Sequence, residues 1–251
     1  MIPAIIIGRG GSKGFPGKNF YKINNHPIMA YPIIAASRSC NVDGVYFSTE
    51  DSRLKNIAKS YGADIIDRPL ELATDAALGE DVFIHAYNQI YVDDIIYDYN
   101  NKTDVEFALL MFANAPGITS WMIDEMIELI RENAKIDDSI DSICTVSKYN
   151  MFSPSRMRRF DGLSGTKLLP YTNDYANATC DRDSTEDAYI YDCSCAIVRP
   201  RCLENIEEGL PPQRWLGRRN ILGYKQTDPI LDIDYEWQVG HVKWWLDRNW
   251  M

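Results

Sequence analysis

Residues 2–8, IPAIIIG, form a short apolar run that breaks into the loop GRGGSKGFPGK, residues 8–18, with five glycines and one proline. An apolar, β-branched stretch of this length bounded by glycine suits a strand buried on both faces of a parallel sheet. Three cations, Arg9, Lys13 and Lys18, are concentrated in the loop that leaves this strand. The chain around them carries a formal net charge of −10 over 251 residues, so the loop is a local exception to an acidic molecule.

Strand and helix signals alternate downstream. The pattern predicts a helix over 26–39, with Pro27 near its first turn and Pro32 kinking or delaying it. A strand follows over 42–49, a helix ending at Gly62, a strand over 63–69 and a helix over 79–96. The polar segment 98–104 reads as a surface loop. A strand over 106–116, an amphipathic helix over 118–135 and a strand over 141–148 come next. From 149 to 187 the rhythm breaks into short polar segments, and strands return at 188–200 and 220–226. The stretch 228–248 reads as strand, turn and helix. Such alternation implies an α/β fold: a mostly parallel, doubly wound, Rossmann-like sheet with helices on both faces. Ligands of such sheets gather at the carboxyl ends of the strands, where the opening loop begins. One domain over 1–251 suffices, with 149–187 as an irregular excursion.

The totals exclude several classes. With 45% hydrophobic and 25% charged residues the composition is that of an ordinary globular protein. The negative charge argues against nucleic acid or an anionic membrane surface as partner. No apolar run approaches the roughly 20 residues of a membrane span, and no leader pattern opens the chain, so a cytoplasmic location is expected. Six scattered cysteines offer no zinc spacing and are expected to be reduced and mostly buried, with Cys193 and Cys195 sharing one strand face.

Two phosphate-binding patterns fail on the loop. A Walker loop ending at Gly17-Lys18 requires glycine where Ser12 stands, and Ser or Thr where Asn19 stands. A dinucleotide fingerprint beginning at Gly8 and Gly10 requires its third glycine where Lys13 stands. The physical content survives both failures. Glycines let several backbone amides approach an anion together, and three cations spread over its oxygens, which is the chemistry of a polyphosphate cradle. The competing reading is a glycine-rich turn whose cations face solvent.

The segment IIIGRGGSKGFPGKN resembles the opening motif of the acylneuraminate cytidylyltransferases, the CMP-sialic acid synthetase family. The likeness continues through YFSTEDSRLKNIAKSYGADIIDRPLELATD and reappears at DIDYEW. It implies a nucleotidyltransferase (GT-A-like) fold and transfer of a cytidylyl group from CTP to an acidic keto sugar, with Mg²⁺ as cofactor. By motif position, Gly8, Arg9, Gly10, Gly11, Ser12, Lys13, Lys18 and Asn19 would hold the triphosphate and ribose, and Arg68 would lie near the base. FANAP (112–116) stands where the family has a glutamine-bearing segment, so Asn114 would replace a polar base contact. The resemblance also implies a homodimer using 149–187, and an acceptor contact at Arg182.

Asp232-Ile233-Asp234 places two carboxylates on one side of an extended chain. Two hard oxygen donors so spaced suit Mg²⁺ shared with substrate phosphates. The same pair also fits solvated strand-end acids or a metal-dependent glycosyltransferase, and in the resembled family it supplies the metal ligands. Arg9, Lys13, Lys18, Asp232 and Asp234 are therefore the candidate catalytic groups. Arg156, Arg158 and Arg159 fit a solvated or intersubunit patch better than an acceptor site. His85 and the tryptophans Trp237, Trp244, Trp245 and Trp250 fit packing roles.

Overall fold

The computed structural model describes residues 1–97, 105–162, 165–173, 179–181, 183–184, 186–218 and 220–250, and the side chains of 91–97 lie outside the description. The surface loop expected at 98–104 and the acceptor contact expected at Arg182 fall outside the described residues.

The first strand is β1, Pro3–Ile7. After the glycine loop come two short strands, β2 (Lys22–Ile23) and β3 (His26–Pro27), then helix α1, Ala30–Arg38. The alternation continues with β4 (Gly44–Thr49), α2 (Ser52–Ser60), β5 (Asp64–Asp67), α3 (Gly79–Tyr97), β6 (Ala108–Phe112), α4 (Ser120–Ile136) and β7 (Ser142–Lys148). Beyond it lie a hairpin of β8 (Arg158–Phe160) and β9 (Leu168–Pro170), then β10 (Tyr189–Val198), α5 (Pro200–Glu204), β11 (Ile221–Lys225) and α6 (Val239–Asn249).

Seven strands form one sheet in the order β11-β7-β10-β6-β1-β4-β5. The β1–β4, β1–β6, β4–β5 and β7–β11 pairs are parallel, whereas β10 runs antiparallel to both neighbours. This is the expected mostly parallel sheet with one reversed strand. Because β1 lies between the strand that follows it across α1 and the later β6, its carboxyl end sits at a reversal of strand order. Crevices that bind ligands open at such points.

Strand periodicity explains how β1 holds the two layers together. Ile2, Ala4 and Ile6 join one core with Met29, Ile33, Leu54, Ile123, Ile127 and Trp245. Ile5 and Ile7 join the other with Phe83, Ala86, Ile90, Leu203 and Trp215. Helices α1, α2, α4 and α6 thus cover one face, and α3 with α5 the other, so alternate side chains of one strand are buried in opposite directions.

Three expectations are corrected. The helix predicted at 26–39 begins only at Ala30, because His26–Pro27 pairs with Lys22–Ile23. Pro32 then falls in the first turn of α1, where the backbone N–H has no partner within the helix, so it delays the start and kinks nothing. Residues 228–234 are not a strand; they join no ladder, and the backbone bends at Asp228 and Asp234. Cys144, Cys195 and Cys202 are buried, but Cys40 and Cys180 are exposed. A register shift between Tyr191 and Ala196, with Cys193 at φ 63°, interrupts the alternation that would have put Cys193 and Cys195 on one face.

Among the described residues no helix is long and apolar enough to cross a membrane. Ile6 is fully buried at the centre of β1. Ile6→Ala is expected to lower the unfolding free energy by about 2–5 kcal/mol, read by denaturant titration, since the cavity lies where the sheet is covered on both faces.

Candidate active site

The loop after β1 is held in place by the protein around it before any ligand is considered. Gly8 N donates to Ser48 O at 3.2 Å, and Gly10 N donates to the Glu50 carboxylate at 2.8 Å. Asn19 donates its amide to Arg9 O at 3.1 Å. Its Oδ1 is buried with no hydrogen-bond partner. Glycine is required at two of these points by crowding. A Cβ at Gly8 would sit 2.7 Å from Ala113 Cβ, and one at Gly14 would sit 2.6 Å from the carbonyl oxygen of Asp234. The second approach joins the loop to the acidic segment some 220 residues later in the sequence.

Backbone outside a ladder must find its hydrogen bonds elsewhere, and the 232–235 segment finds them in the side chains of Asn114 and Gln238 and in the main-chain carbonyl of Asn114. Asn114 donates to Asp232 Oδ2 and to Ile233 O, both at 3.0 Å, while its own carbonyl accepts from Ile233 N at 2.9 Å. Gln238, buried at the start of α6, accepts from the N–H groups of Asp234 and Tyr235 at 2.8 and 2.7 Å and donates to Asp232 O at 2.8 Å. Ile233 is fully buried between the two aspartates. Asp232 is half-buried and Asp234 exposed.

Loop and aspartates meet directly: Lys18 Nζ lies 2.8 Å from Asp234 Oδ1. The loop and Asp234 line one cleft of about 390 Å³, with Gly8, Arg9, Ser12, Lys13, Asn19, Arg68 and Asn114, whereas Gly10, Gly11 and Asp232 are not among the residues that line it. Ile7, Leu72, Val82 and Phe112 supply an apolar wall. Phe112 also packs edgewise on Phe83 at 5.4 Å.

Asp232, beside the cleft, and Arg68, within it, have displaced acidities. Burial, then the neighbouring Asp234 charge, push the Asp232 carboxyl up to about 6, against the opposing pull of Lys18 and the Asn114 amide. Arg68, only 7% exposed, donates to Ser48 Oγ at 3.3 Å and Ser48 O at 2.6 Å. Burial pulls its guanidinium down to about 10, Glu50 opposes that change and Arg9 adds to it. Arg68 is therefore a buried cationic post of the cleft, not a surface ion pair.

A divalent cation would find a compatible but incomplete donor set here. Asp232 and Asp234 are hard oxygen donors whose mutual repulsion a cation would relieve, and Lys18 already occupies one of them. Among the described residues no group of three or more His, Cys, Asp or Glu side chains could hold a metal. The remaining ligands would have to be phosphate oxygens and water, the usual environment of Mg²⁺ at phosphoryl sites.

The expected loop residues Gly8, Arg9, Ser12, Lys13, Lys18 and Asn19 are together, with Arg68, Asn114 and Asp234 in the same cleft. Asn114 has its amide committed to the aspartate segment rather than left open to a base. His85 stays on α3, where burial pulls its imidazole down and Arg68 adds to that. Sequence reasoning missed Glu50, Asp75 and Gln238. Asp75 pairs with both Arg9 and Lys13, at 2.9 and 2.5 Å. It belongs to the RPLELATD block, and Gln238 stands three residues past the turn into a helix, an offset typical of capping side chains.

Fold and cleft define a nucleotidyltransferase-type α/β domain. Residues 3–98 match the family model described as Cytidylyltransferase. The chain is 35% identical over 234 residues to an N-acylneuraminate cytidylyltransferase of Escherichia coli, covering 93% of this chain and 49% of the relative. It is 23% identical over 248 residues to the N-acylneuraminate cytidylyltransferase of Oncorhynchus mykiss, covering 96% and 50%. The chain thus spans about half the length of these curated relatives. A CMP:2-keto-3-deoxy-manno-octonic acid synthetase solved with CTP shares the fold, with a TM-score of 0.63, 14% identity and 98% of each chain covered. The part of the chain over residues 3–98 matches the cytidylyltransferase model, and the resemblance to acylneuraminate cytidylyltransferases is borne out.

In the ligand-free protein, a carboxyl-detected NMR titration should place Asp232 near 6. Asp234→Asn should move that value down, because the repelling charge is removed while burial remains.

Proposed function

We propose that this protein transfers a cytidylyl group from CTP to a hydroxyl of an acidic keto sugar, a nonulosonic acid of sialic or legionaminic type, releasing pyrophosphate. The observation that supports the reading is the 2.8 Å approach of Lys18 to Asp234, which joins the cationic glycine loop to the segment that carries both aspartates. The similarity to N-acylneuraminate cytidylyltransferases supports the nucleotide and the acceptor class. An eight-carbon 3-deoxy acid is the next acceptor to consider, given the shared fold with an octonic acid synthetase.

Attack of a sugar hydroxyl on the α-phosphate moves negative charge onto the leaving pyrophosphate. Arg9, Lys13 and Lys18 line the cleft where that charge would develop, and their positive charge would stabilise it. The Gly8 and Gly10 amides are committed to Ser48 and Glu50 and set the course of the loop, so that its other backbone amides would add the dipoles that face the phosphates. Asp232 and Asp234 would hold Mg²⁺, which when bound neutralises phosphate charge and acidifies a coordinated hydroxyl. Asn114 and Gln238 keep both carboxylates in register toward the loop. Asn19 would meet the ribose, and Arg68, buried against Ser48 in the same cleft, would keep positive potential on the nucleotide side. The Phe112 wall takes a flat ring by apolar contact, leaving discrimination of cytosine to the polar groups around it.

The same reading includes a homodimer. On the excursion Phe160, Leu168 and Tyr171 are exposed around the β8–β9 hairpin, flanked by Arg158 and Arg159. An apolar hairpin of this kind suits a second copy of the chain, with the arginines at its rim.

The test is incubation with each nucleoside triphosphate, Mg²⁺ and a panel of nonulosonic and 3-deoxy-octulosonic acids, read by pyrophosphate release. CTP with a nonulosonic acid should give the highest rate, and Lys18→Ala should lower kcat/KM by about 100-fold. Activity should fall as pH drops below about 6, because protonated Asp232 no longer offers a charged oxygen. No release with any pair would refute the reading.

A further inference from the structure

Arg9 and Lys13, the two cations nearest the mouth of the cradle, are both turned onto one carboxylate. Arg9 Nη1 lies 2.9 Å from Asp75 Oδ1, and Lys13 Nζ lies 2.5 Å from Asp75 Oδ2. The two guanidinium and ammonium groups together hold the Asp75 carboxyl below its usual range, Lys13 having the larger effect. Asp75 lines the same cleft as the loop. A carboxylate bridging two cations with separate oxygens occupies the donors that two phosphate oxygens would need.

The other acids around the loop have different work. Glu50 accepts from Gly10 N, Asp51 caps α2 and pairs with Arg53, and Asp234 faces Lys18. Asp75 itself sits in a turn between Leu70–Ala73 and α3, with its side chain half exposed and Lys13 82% exposed. Neither group is locked in place by packing. The loop backbone, in contrast, is fixed by Ser48, Glu50 and Asn19, none of which involves Asp75. Losing the Asp75 charge would therefore free the cations without disordering the cradle.

We propose that Asp75 is an internal counter-anion that competes with phosphate for Arg9 and Lys13, and so promotes the departure of pyrophosphate. The inference rests on the cradle reading given above. A triphosphate carries several charges and displaces a single carboxylate. Once the chain of phosphates is cut, the shorter product competes less well, and Asp75 swings back onto the two cations. No bond is made or broken in this exchange. The carboxylate weakens ground-state hold on the product at a small cost in affinity for the substrate.

The direct test is calorimetric titration of inorganic pyrophosphate into the native protein, Asp75→Asn and Asp75→Glu in metal-free buffer. Asp75→Asn should bind about tenfold more tightly, with the gap shrinking as salt is raised. Asp75→Glu, which keeps the charge, should bind like the native protein. The inhibition constant of pyrophosphate against the forward reaction should fall in parallel for Asp75→Asn. Equal or weaker binding by Asp75→Asn, with the native protein still binding, overturns this proposal alone. Absence of binding by all three proteins overturns the cradle reading and this proposal with it.

Discussion

The approach of the glycine loop to the aspartate segment is the constraint on which the rest of the cleft depends. Lys18 reaches Asp234 at 2.8 Å, and Gly14 passes so close to the Asp234 carbonyl that any side chain there would collide with it. Two segments from opposite ends of the chain are thereby brought to the same place, one rich in cations and the other in carboxylates. Apart, each is an ordinary charged turn. Facing each other, they create a cleft in which a polyphosphate and a divalent ion would each find complementary charge.

The Lys18–Asp234 pair is made at contact distance, and the position of each segment is set by the backbone that delivers it. The parallel sheet does this at one side, since β1 is buried on both faces and delivers the loop from a rigid base. Asn114 and Gln238 do it at the other, replacing ladder hydrogen bonds with side-chain ones. Asp232 shows the tension that remains: its carboxyl is raised because it is buried beside a second negative charge. A cation bound beside the two carboxylates would relieve that repulsion.

Much of this was legible in the sequence because it is local. The strand at 3–7, the helices around Leu54 and Ile127, and the loop with its three cations all announce themselves by period, glycine or charge. What could not be read is long-range. The run 228–234 has the alternation of a strand, yet whether it joins a ladder depends on neighbours that periodicity does not reveal. Pro32 gave an ambiguous mark because its effect depends on where the helix begins. Asp75 looked like one acid among many, since its significance lies in facing Arg9 and Lys13 across a turn. Asn114 was legible as a polar residue at the right place, but not as a clamp on the aspartates.

The central claim is that the loop and the aspartate pair act on one nucleotide through one metal ion. It is tested most directly by replacing Mg²⁺ with paramagnetic Mn²⁺ and measuring ³¹P relaxation of bound CTP. Strong relaxation of the α-phosphate in the native protein, lost in Asp232→Asn with CTP still bound, is the result expected. Relaxation that is the same in both proteins would place the ion away from Asp232 and contradict the account.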